Sequence, residues 1–70
     1  MERQRVVSEE IQSVGYDVAH RMLEIKFQTI GVYQYPGVSL SVYHSLMEAP
    51  SKTECFKNLI KHRYLCRKVG

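Results

Sequence analysis

Tyr33 and Tyr35 stand two apart in a run of β-forming residues, so both rings leave one face of a strand. Such a pair can be a stacking platform for unpaired bases, each stacked base contributing about 1–3 kcal/mol. The alternative is that the rings are core, with their hydroxyls reaching a partner or water. Charge is the second chemical resource. Lys52, Lys57, Lys61, Arg63, Arg67 and Lys68 face a single acid, Glu54, so residues 51–70 carry +5. The whole chain carries +3, which leaves −2 for residues 1–50. A basic end on a mildly acidic body is the footprint of a domain that meets a polyanion. A solvated helix face is the bland reading of the same residues. Lys57, Lys61, Arg63, Arg67 and Lys68 form a candidate phosphate track, with lysines acting as flexible point charges that carry no sequence information. Lys52 belongs to a separate idea. It falls in the first turn of a helix, where Ser51, Lys52 and Thr53 could cradle one phosphate. Capping alone also explains Ser51.

Other constellations are weaker. Cys55, His62 and Cys66 are spaced seven and four apart, one stripe if a helix ran uninterrupted, but no fourth zinc ligand is evident. They read as free thiols and a surface histidine. His20, His44 and His62 have no nucleophilic or acidic partner at a telling spacing, and Glu9-Glu10 is a charge pair rather than an acid/base dyad. No Ser-His-Asp, HExxH, Walker or Rossmann pattern is present. No catalytic residue, metal ligand or cofactor is assigned.

The chain has 70 residues, enough for one domain, with 44% hydrophobic and 24% charged residues. A chain this short buries only about 60% of its unfolded surface. That leaves little room for a deep substrate pocket and argues against a stand-alone enzyme. No run of about 18 apolar residues marks a membrane span, and Met1-Glu2-Arg3-Gln4-Arg5 lacks the apolar core of a secretory signal. Two cysteines are too few to staple a secreted mini-protein, which points to reduced thiols and a cytoplasmic location.

The elements that must position these side chains follow from periodicity. Residues 1–10 are polar and read as a flexible lead-in, with order beginning near Ile11. Ile11 to Tyr16 is a first strand, followed by a polar turn over Asp17 to Arg21. Met22 to Phe27 is the cleanest strand: Leu23, Ile25 and Phe27 on one side, Glu24 and Lys26 on a side facing water. Gln28 to Gly31 is a hairpin turn with Gly31 at positive φ. Val32 to Tyr35 is a third strand, closed by Pro36-Gly37. The period then changes. Ser39 caps a helix over 40–48, stopped by Pro50. Ser51 caps a second helix, with Glu54 at capping-box spacing, that runs to about Arg63. Residues 64–69 make a loose end or a short edge strand. The expected fold is α+β: a three-stranded antiparallel meander, then two helices packed on one face, in a single domain over 11–69.

Ser13-Val14-Gly15-Tyr16-Asp17, Leu23 to Phe27, Tyr33-Gln34-Tyr35 with Gly37-Val38, and Ala49-Pro50-Ser51-Lys52 with Phe56, Ile60, Tyr64 and Arg67-Lys68-Val69 closely resemble the KTSC domain. That domain is named for the C-terminus of some lysyl-tRNA synthetases and also occurs as a free-standing bacterial and phage protein. The resemblance covers residues 11–69 and implies no catalytic residue. It implies RNA binding by association with a tRNA synthetase, which is analogy. Two departures stand out. Thr53 replaces the glycine that usually follows Ser-Lys, and Leu65-Cys66 replaces a common Pro-Tyr pair. The resulting expectation is a non-enzymatic, RNA-binding accessory domain using Lys52, Lys57, Lys61, Arg63, Arg67 and Lys68 for phosphates, and Tyr33 and Tyr35 for bases if the sheet face is open. The rival is a protein-interaction module that docks an acidic partner surface.

Overall fold

Period-two alternation in the central strands sets the architecture. The computed structural model describes residues 1–70. Five strands and two helices occur in the order β1 (Gln4–Arg5), β2 (Ile11–Asp17), β3 (Met22–Phe27), β4 (Gly31–Pro36), α1 (Leu40–Glu48), α2 (Lys52–Leu59) and β5 (Arg67–Lys68). All strand pairs are antiparallel and the sheet order is β1-β2-β3-β4-β5. No helix is long and apolar enough to cross a membrane.

Register fixes which residues share a face. Val14 sits opposite Ile25, and Tyr16 opposite Leu23. Leu23 in turn faces Tyr35, and Ile25 faces Tyr33. These side chains point toward the helices, where Ile11, Val14, Leu23, Ile25, Val38, Leu46 and Ile60 are almost wholly buried. A bulge between Ile11 and Ser13 absorbs Gln12 and keeps Ile11 on the core side.

Both helices begin as their sequences require. The Ser39 hydroxyl accepts from the Val42 N–H, and the Ser51 hydroxyl accepts from the Glu54 N–H. α1 lays Tyr43 flat on Tyr16, with ring centroids 4.8 Å apart and planes 12° from parallel. The Tyr16 hydroxyl then donates to the Val38 carbonyl, pinning the segment that leads into α1. α2 contributes Phe56, which meets Phe27 at 5.4 Å and Tyr35 at 5.8 Å, edge-on in both cases.

The structure corrects three sequence expectations and decides one open alternative. First, four strands precede the helices rather than three. Gln4–Arg5 pairs with Val14 and Ser13, so the polar lead-in supplies an edge strand. Its physical opening is Gly15: a Cβ there would lie 2.5 Å from the Glu2 carbonyl oxygen, so only glycine lets the lead-in approach. Second, α2 ends at Leu59 rather than near Arg63. The N–H groups of Ile60 and Lys61 both bond to the Phe56 carbonyl, at 3.0 and 2.9 Å, and those of Arg63 and Tyr64 both bond to Ile60. Ile60 is drawn wholly into the core as the helical ladder breaks. Third, Glu24 does not face water; it is 7% exposed. Of the two readings of Tyr35, stacking platform or core, the structure takes the second, at 4% exposure. Two expectations about chain reversal and the edge are met. Gly31 takes φ +103 at the β3–β4 turn, and the C-terminal residues form the short strand β5 beside β4.

Removing the Phe56 ring as Phe56→Ala should cost about 3–5 kcal/mol. A domain of this length has only about 0.05–0.15 kcal/mol of stability per residue. Urea titration should therefore find the variant largely unfolded or close to it, and a midpoint near wild type would contradict this role. Gly15→Ala should act locally, displacing β1 while β2–β4 stay paired. The reporter is the Val6 amide, which bonds to the Gln12 carbonyl at 3.1 Å. Its hydrogen exchange should accelerate selectively.

Candidate functional site

Two surfaces carry convergent side chains, one on each side of the sheet. On the helix side, a groove of about 560 Å³ lies between the β3–β4 turn, α2 and the C-terminal segment. Phe27, Tyr33, Tyr35 and Phe56 form its aromatic lining, with Ile30 and Cys66 beside them. Lys61, Glu9 and Glu10 supply the charge. Tyr33 is half-buried and meets Phe27 edge-on at 5.7 Å. Tyr35 offers little free surface. Burial pushes its phenol well above the ordinary value, and the neighbouring Cys66 thiol adds to the shift, so Tyr35 is a neutral hydroxyl. Of the groove's four aromatic side chains, Tyr33 is therefore the one that keeps substantial exposure, over a buried aromatic floor.

On the opposite side, register places Arg5, Ser13, Lys26 and Val32 in one row across β1 to β4. The next row holds Gly15, Glu24, Gln34 and Arg67. Arg3 completes this row. Its Nη1 donates to Glu24 Oε2 at 2.6 Å, and Gly15, which has no side chain, lies beneath its stem. Gln34 Nε2 donates to Glu24 Oε1 at 2.9 Å. Arg67 Nη2 donates to Gln34 Oε1 at 3.1 Å. A polar ladder thus crosses the whole sheet, Arg3 to Glu24 to Gln34 to Arg67. Burial tends to raise the Glu24 pKa. The hydrogen bonds from Gln34 and Arg3, with the Arg3 charge, outweigh it and bring the carboxyl below its ordinary value.

The structure divides the predicted site residues among these places. Tyr33, Tyr35 and Lys61 come together in the helix-side groove. Lys57 and Lys52 line a neighbouring hollow with Glu9, Glu10 and Glu54, so acids of the N-terminal segment and of α2 surround them. Arg63 is exposed beyond the end of α2. Arg67 lies on the other side of the sheet, bound to Gln34, and is not part of a track with Lys57 and Lys61. Lys68 sits at the sheet edge with its ammonium on the Gly70 carbonyl at 3.0 Å. At the candidate cradle of Ser51, Lys52 and Thr53, the side chains are engaged within the chain, with the Ser51 hydroxyl accepting from the Glu54 N–H. Lys52 Nζ donates to the Ala49 carbonyl at 2.7 Å, and Thr53 Oγ1 pairs with Ser8 Oγ at 2.9 Å. These groups close the N-terminus of α2 on the chain itself. Cys55, His62 and Cys66 do not share a stripe, because the helix ends before His62.

The KTSC domain model matches residues 7–64. The chain belongs to the KTSC domain family. A KTSC domain protein from Yersinia pestis, known as a crystal structure, is 48% identical, and the match covers 99% of this chain and 97% of that one at a TM-score of 0.96. An uncharacterized protein of Stutzerimonas stutzeri is 31% identical over 64 residues, spanning 91% of this chain and 90% of its own length.

Placed on the structure, most of the residues that carry the KTSC resemblance support the fold. Gly15 admits β1, and Tyr16 holds Val38 and Tyr43. Asp17 accepts from the Ala19 and His20 amides in the β2–β3 turn. Ser51 caps α2, and Phe56 fills the core. Thr53, the departure from the usual glycine, uses its hydroxyl to hold Ser8 of the segment after β1. Sequence reasoning missed Arg3, Arg5, Lys26, Glu24 and Gln34 as a surface. The parity of β3 pointed to Glu24 and Lys26, but Arg3 and Arg5 could join them only through a strand that polar composition concealed.

The depressed Glu24 pKa makes a pH prediction. A carboxyl with a folded pKa below its unfolded value adds stability above the unfolded value, about 4.3 for glutamate, and loses it as pH falls through the folded value. Wild-type stability should therefore drop as pH falls below about 4.3. Glu24→Gln should flatten that part of the curve. Denaturant midpoints measured between neutral and acidic pH check this, and parallel curves for the two proteins would contradict it.

Proposed function

We propose that this KTSC domain is a non-enzymatic RNA-binding module. The observation that supports the reading is the co-location of the Tyr33 ring, an aromatic floor and Lys61 in one groove. An unpaired base stacks on Tyr33, which is worth about 1–3 kcal/mol on comparable platforms. Lys61 takes the adjoining phosphate, and the exposed Lys57 and Arg63 extend the basic flank along α2 and beyond its end. Glu9 and Glu10 lie where a carboxylate can accept from a base amino group, as acidic side chains do with the cytosine N4 amine. Single-stranded or loop regions of structured RNA, tRNA included, supply such unstacked bases.

Binding to a tRNA, a short mixed-sequence RNA and an acidic polypeptide, each titrated with salt, tests the reading. RNA binding that weakens with salt while the acidic polypeptide is ignored is the expected result. Tyr33→Ala should weaken RNA binding by about 1–3 kcal/mol. Lys57→Glu with Lys61→Glu should weaken it further. Equal weak binding to all three probes would reduce the domain to a generic polycation and overturn the reading. Binding of the acidic polypeptide alone would favour protein docking instead.

A further inference from the structure

The folded chain does not carry its net charge where the linear sequence suggests. Six of the ten basic residues lie on the helix side, in turns or at the chain's C-terminal edge: Arg21, Lys52, Lys57, Lys61, Arg63 and Lys68. Six acids lie outside the two rows of the helix-free face: Glu2, Glu9, Glu10, Asp17, Glu48 and Glu54. These two sets cancel. The remaining bases are Arg3, Arg5, Lys26 and Arg67, all in those two rows, with Glu24 as their single acid. The formal +3 of the chain therefore equals the charge of those two rows of the helix-free face. A third row of the face begins with Asp17, whose carboxylate is engaged by the Ala19 and His20 amides and the His20 ring.

We infer that the helix-free face holds the phosphodiester backbone of the RNA, as a second surface distinct from the Tyr33 groove. The inference rests on the RNA-binding reading and adds to the phosphate contacts at Lys61 a second, separate set on the other side of the sheet. Arg5 and Lys26 form no ion pair in the structure, and they flank Ser13 in the same row. With strands about 4.8 Å apart, their Cα atoms are separated by about 10 Å. Arg3 and Arg67 are held in place by Glu24 and Gln34, each through one hydrogen bond, which leaves most of their five N–H donors for a ligand. Glu24 fixes Arg3 against the sheet, so the guanidinium is preorganised and loses little side-chain freedom on binding. The two rows contain no aromatic residue, and their only large apolar side chain is Val32. Such a surface suits backbone contact without base readout and gives no wedge for a membrane. Its positive charge opposes a basic partner and complements a polyanion.

The test pairs Arg5→Gln with Lys26→Gln, which leaves Glu24 and its partners intact. Both residues are free of ion pairs, so circular dichroism and the urea midpoint should stay near wild type. Binding to a short oligouridine is then measured against salt concentration. Two lost phosphate contacts should lower the slope of log affinity against log salt by roughly 1.4, given about 0.7 per contact for single strands. Amide shifts in the wild-type protein should map to Arg5, Ser13, Lys26, Val32 and Gln34 as well as the groove. Unchanged slope with shifts confined to the groove and α2 would overturn this inference and leave the RNA reading standing. No binding of oligouridine by the wild-type protein, or equal shifts with polyglutamate, would overturn both.

Discussion

The ring of Phe56 meets Phe27 and Tyr35 edge-on, and through them ties α2 to two adjacent strands. In a domain with only ten buried hydrophobic residues, that junction has no substitute. It sets the depth at which α2 lies, and so the height of the groove wall beside Tyr33. It also explains why Tyr35 cannot serve as an open stacking surface: its ring is part of the wedge. α1 is held independently, by Tyr43 on Tyr16 and by the Tyr16 hydroxyl on Val38. The helix layer therefore has two aromatic attachments, one toward each end of the sheet.

The other side of the sheet is organised by a single carboxylate. Glu24 is buried under its own neighbours and receives one hydrogen bond from each side. A lone buried carboxylate would be costly, whereas one paired with a guanidinium and an amide is satisfied. Breaking such a pair by removing the arginine costs more than the pair itself contributes, because a buried charge is left behind. This makes the ladder a unit. Its strength also depends on Gly15, since any side chain there would occupy the path that the Arg3 stem takes.

Much of the fold was legible in the sequence, for definite physical reasons. β3 matches its predicted span, because the alternation from Leu23 to Phe27 admits one reading. α1 spans the expected 40–48 because Ser39 and Pro50 are strong punctuation. What escaped notice had either no local signal or a misleading one. Gln4–Arg5 has no apolar face, so pattern could not declare it a strand; the clue was a glycine ten residues away. Cys55 to Arg63 kept helical spacing past the point where Ile60 breaks the ladder. The charge count along the chain was correct, but folding brings Glu9 and Glu10 beside Lys57 and Lys61 and sends Arg67 to the opposite face. Of the site residues, Tyr33 and Tyr35 were paired in the sequence as they are in the groove, but Lys61 was assigned to a basic track and joins them only in the fold; the surface built from Arg3, Arg5 and Lys26 exists only once β1 has docked.

The two outermost strands have one further consequence. β1 and β5 are two residues long, exposed, and made of Gln-Arg and Arg-Lys. Short, cationic margins are poor templates for the strand of another molecule, which would have to bring its own charge against theirs and find only a brief ladder to join. The longer and more apolar strands β2 and β4 lie just inside them. A sheet of this composition thus guards itself against edge-to-edge association at both borders, and does so with the least regular parts of its chain.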